Sequence, residues 1–60
     1  MTPAELAELR DKLRQAENLV ATVRDAFARD SRVGGARLLN ECVLALQDEI
    51  EQAEKELAGQ

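Results

Sequence analysis

With 60 residues and a formal net charge of −4, eight basic side chains against twelve acidic ones, the chain is one domain at most and ill suited to non-specific attachment to nucleic acid or an anionic membrane. It has no His, Tyr or Trp and one cysteine, Cys42, which excludes an intramolecular disulfide and leaves no usual zinc ligand set. A core of this size supplies only a few kcal/mol, so self-association is the expected source of further stability.

The first element is announced at its start. Thr2-Pro3-Ala4-Glu5 places a hydroxyl at the N-cap, proline at the first helical position and a carboxylate at the third, the pattern of a capping box, with Met1 and Leu6 spaced to form a hydrophobic staple. Leu6, Leu9, Leu13, Ala16, Val20, Val23 and Phe27 then step by three and four, which keeps them on one face of an α-helix over about residues 3–29.

The turn can be read in two ways. Either it spans about 30–31, with Ser31 capping a helix that starts near 32 and holds Gly34 and Gly35 in its first turn, or it spans 30–35 and the helix starts near Ala36. Leu39, Val43, Leu46, Ile50, Ala53 and Leu57 form the second stripe, running to about residue 58, and Gly59 is placed for a left-handed conformation beyond the last turn. The fold class is therefore all-α, an antiparallel two-helix hairpin over residues 1–60, expected to dimerise into a four-helix bundle. One register pairs Leu6 with Leu57, Leu13 with Ile50, Val20 with Val43, and Phe27 with Gly35 and Ala36. Another pairs Phe27 with Leu39 and leaves Leu6 without a partner. The first is preferred because it uses every layer and sets the only aromatic ring against the smallest residues.

Placing the stripes on heptad positions a and d shows unequal borders. Ala7, Arg14, Ala21 and Ala28 with Asn40, Gln47 and Glu54 make a polar seam, which Arg14 can seal by reaching Gln47 or Glu54. Leu19, Thr22 and Ala26 with Leu38, Cys42 and Ala45 widen the apolar stripe in the half nearest the turn, and these six residues are the candidate dimer or partner interface. Cys42 is expected to be a small buried hydrophobe bordering the core, since no base is placed to activate it. Leu44, pointing away from both stripes, and the arginines gathered at the turn, Arg24, Arg29, Arg32 and Arg37, are further candidate partner contacts.

Catalysis is not expected, because the residue inventory offers no acid-base pair and only one Ser beside the one Cys. No cofactor or metal is expected either: Asp48, Glu49, Glu51, Glu54 and Glu56 are distributed around the helix and match no calcium-loop pattern. The lone thiol, the absence of a basic and apolar run after Met1-Thr2-Pro3, and the lack of any apolar stretch near about 18 residues give a cytoplasmic expectation without membrane attachment. The expected function is a small protein-interaction module, an adaptor, inhibitor or regulator of the kind found among bacterial and phage accessory proteins, which self-associates and binds an unidentified protein partner. In architecture, a dimerising hairpin of this length resembles the plasmid-encoded RNA-binding regulator Rop. That resemblance implies an alternative, RNA binding through the arginines near the turn, although no basic-aromatic face for RNA is present. A purely structural oligomerisation module is the remaining alternative.

Overall fold

The computed structural model describes every residue from Met1 to Gln60 and consists of two helices, α1 (Pro3–Arg29) and α2 (Val33–Ala58), packed side by side as a hairpin. The rod measures 44 × 14 × 13 Å. Neither helix is long and apolar enough to cross a membrane.

The start of α1 follows from its local chemistry. The Thr2 hydroxyl accepts from the Glu5 backbone N–H at 3.1 Å, and the Glu5 carboxylate accepts from the Thr2 N–H at 3.4 Å and from the Thr2 hydroxyl at 3.0 Å. Met1 shares a cleft with Leu6 but remains 77% exposed, so it forms only the edge of a staple.

The end of α1 differs from the expectation. Ser31 does not cap α2; it adopts the left-handed conformation, φ 62°, and the residue at the α2 N-cap is Arg32, whose side chain caps nothing. The physical reason lies in the hydrogen bonds that close α1. The Arg32 N–H donates to the Phe27 carbonyl at 2.9 Å and the Ser31 N–H to the Ala28 carbonyl at 3.1 Å, the two bonds of a Schellman motif with Ser31 in the place that glycine usually takes. The contact between the flanking side chains that accompanies this motif is here cationic: the Arg32 guanidinium lies 5.9 Å from the centre of the Phe27 ring.

Gly34 and Gly35 lie inside α2. A Cβ at Gly35 would sit 2.6 Å from Phe27 Cδ2, so this glycine leaves the space that the ring occupies, whereas a Cβ at Gly34 would meet nothing within 4 Å. The close approach of Phe27 to Gly35 and the burial of Leu6 to 4% exposure both fit the preferred register, since the rejected one leaves Leu6 unpartnered. Gly59 also departs from expectation. Its φ of −81° keeps it right-handed, because its N–H simply continues the helical pattern to the Lys55 carbonyl at 3.1 Å.

The core is thin. Only Leu6, Val43, Ile50 and Ala53 are buried, and no large side chain is fully enclosed. Two helices alone can shield one line of side chains each, and the rest of both stripes is covered only in part.

Candidate interaction surface

The two long sides of the hairpin differ as the residues bordering the stripes require. On the polar side, Arg14 pairs with Glu54, Gln47 donates to Glu17 at 2.9 Å, and Arg24 donates to Asn40 at 2.8 Å. Glu17 and Arg24 were absent from the seam read in the sequence, yet both follow the stripe by one residue, at position e, and are half-buried against α2. These bonds tie the helices along their length and satisfy the polar groups of that side internally.

The opposite side is apolar and uncovered. Leu19 is 67% and Leu38 64% exposed, Thr22, Cys42 and Ala45 are exposed, and Ala26 is half-buried. The Thr22 hydroxyl turns back to donate to the Asn18 carbonyl at 2.9 Å, so it presents its methyl-bearing side chain without an unmet donor. Cys42 is exposed, which corrects its expected burial. It occupies position g, and in a two-helix hairpin that row lies outside the line where the helices meet.

Two members of the stripe itself belong to this surface and were missed. Leu9 and Val23, assigned to the hairpin's own core by their spacing, are 40% and 37% exposed. Both occupy position d of α1, the row next to g, and α2 is too narrow to cover position d and position a together. Toward the chain termini the same side opens into a cleft of about 250 Å³ walled by Leu6, Leu9, Leu13 and Ala53, with Glu49 and Glu56 at its rim. Of the seven exposed large apolar side chains, Met1, Leu9, Leu19, Val23 and Leu38 therefore gather on one face, leaving Val33 and Leu44 elsewhere.

Leu44 is 52% exposed on the other side of α2, isolated from this surface. Of the four arginines near the turn, Arg24 is half-buried, bonded to Asn40 and paired with Asp25 at 3.2 Å, and Arg32 is occupied with the Phe27 ring. Arg29 and Arg37 are exposed and take part in none of the ion pairs. The structure thus divides these four residues into two that brace the hairpin and two that face solvent.

Charge is distributed unevenly along the rod. Around the turn, four arginines against Asp25 and Asp30 leave a local excess of two positive charges. Over residues 1–12 and 49–60, seven carboxylates against Arg10, Lys12 and Lys55 leave an excess of four negative ones. The middle of the apolar face, between these ends, carries no charge at Leu19, Thr22, Val23, Ala26, Cys42 or Ala45.

Comparison with protein-family models, with curated proteins and with solved structures finds no match.

Proposed function

We propose that the chain is a protein-interaction module that works by burying the Leu19–Leu38 face against another protein surface, with self-association as part of that activity. The observation that carries the reading is the segregation of exposed apolar side chains: five of seven lie on one long face, while the opposite face is tied internally by polar bonds. A contiguous apolar surface on a small protein marks an interface, and the uncharged middle of this one, at Leu19, Val23, Ala26, Cys42 and Ala45, can be buried without stranding charged groups. Cytoplasmic action, a regulatory or adaptor role and the absence of catalysis belong to the same proposal, supported by the lone thiol and by an inventory without His or Tyr.

RNA binding is the weaker reading, because only Arg29 and Arg37 of the turn arginines are uncommitted and no aromatic side chain other than Phe27 is present to stack on a base. The test is a sedimentation mass measured for the intact protein and for a Leu19→Glu, Leu38→Glu variant. The proposal expects an assembly above monomer mass that the double substitution abolishes. Equal masses for the two proteins would contradict it.

A further inference from the structure

The face described above contains both a protrusion and a recess, and they lie in opposite halves of the rod. Leu38 stands 64% exposed near the turn, level with Ala26, whereas the cleft walled by Leu6, Leu9 and Leu13 lies near the termini. At about 1.5 Å per residue the seventeen positions from Leu9 to Ala26 separate them by roughly 25 Å. We propose that the occupant of this face is a second copy of the chain running antiparallel, with Leu38 of each copy seated in the other's Leu6–Leu9–Leu13 cleft. The inference rests on the interaction-module reading and names its partner and geometry.

Two observations select the antiparallel arrangement, and a third fits a second copy as the occupant. The first is shape. A two-fold axis crossing the face midway between Leu38 and the cleft, near the level of Leu19, brings both protrusions into both recesses at once, as an isologous interface requires. A parallel pair would instead set Leu38 against Leu38 and leave the two clefts facing each other.

The second is charge. Antiparallel stacking lays Arg29, at the positive end of one copy, over Glu5 and Glu56 at the negative end of the other, with Glu8 already paired to Lys12. Parallel stacking would oppose like with like at both ends of the rod. An arrangement that matches opposite potentials is favoured in both orientation and encounter rate.

The third is surface. The chain exposes 4423 Å², above the about 3,900 Å² expected of a compact monomer of 6.6 kDa, so it carries area that a partner would cover. A face of 44 by 14 Å is on the order of 600 Å² when flat, and side-chain relief brings it close to the ~800 Å² per partner of a standard interface. Full-length overlap is what lets so short a chain reach that size.

The experiment is a distance measurement between spin labels in the full chain, with the sedimentation mass recorded on the same sample. The label is attached at Ala4→Cys in a Cys42→Ala background, Ala4 being exposed in the first turn of α1. Antiparallel pairing about the stated axis predicts dimer mass and a label separation of roughly 40 Å, twice the about 20 Å from Ala4 to the axis level. A dimer whose labels lie within about 25 Å overturns the antiparallel arrangement and leaves the interaction module standing. Monomer mass with no intermolecular distance overturns the second copy as occupant and self-association with it. Leu38→Ala and Leu9→Ala, each truncating one half of the proposed contact, should weaken the dimer at least tenfold, while Leu44→Ala leaves it unchanged; equal effects at all three positions would also overturn the seating of Leu38.

Discussion

Three residues around the turn show how local conformation and packing decide the effect of a single atom. Ser31 holds φ 62°, a conformation in which a Cβ costs roughly 1–2 kcal/mol, so Ser31→Gly is expected to raise stability by up to about 1 kcal/mol after the greater freedom of glycine in the unfolded chain is offset. Gly34 and Gly35 are neighbours in one helical turn with opposite expectations. Gly34→Ala meets open space and gains helix propensity, about 0.5–1 kcal/mol of stability, whereas Gly35→Ala places a Cβ 2.6 Å from the Phe27 ring and should cost about 1–3 kcal/mol as the ring is displaced. Denaturant midpoints for the three variants check all of these, and equal effects at the two glycines would show that Phe27 does not pack where the hairpin places it. At the other end, Thr2→Ala removes the hydroxyl that accepts from the Glu5 N–H while keeping the backbone N–H that donates to the Glu5 carboxylate, and should cost about 1 kcal/mol, with faster amide exchange confined to the first turn of α1.

At the scale of the helices, the sequence carried most of what the structure contains, for identifiable reasons. The capping box and the three-four spacing act within one helix, so they were readable without knowledge of the neighbour. Register was readable too, because only one alignment gave Leu6 a partner and Phe27 small residues to lie against. The turn was not, since Ser31 versus glycine at a left-handed position is decided by the Phe27 and Ala28 carbonyls that the reversal must satisfy. The exposed apolar face was legible as an asymmetry of borders, but its extent was underestimated. Leu9 and Val23 share their spacing with core residues, and only the narrowness of α2 reveals that they stay partly uncovered. Cys42 was misplaced for the same reason: bordering the stripe implies burial only when a third helix is present. Among the polar ties, the exposed Arg14–Glu54 pair is the weakest expected contributor, so Glu54→Ala should change stability by less than about 1 kcal/mol and lose that effect at high salt.

At the scale of the whole molecule, the hairpin buries four residues and leaves one long apolar face uncovered. The side chains that a partner would bury are those that the hairpin fails to shield. Under the proposed self-association, stability and association form a single equilibrium, and the folded population depends on protein concentration. The thermal midpoint of the unlabelled full chain, followed by circular dichroism over a hundredfold range of concentration, tests this most directly. With about 0.7 kcal/mol of unfolding enthalpy per residue of a dimer, the midpoint is predicted to rise by about 6 °C for each tenfold increase. A midpoint that stays constant across that range, with cooperative unfolding of a monomer, would contradict the account.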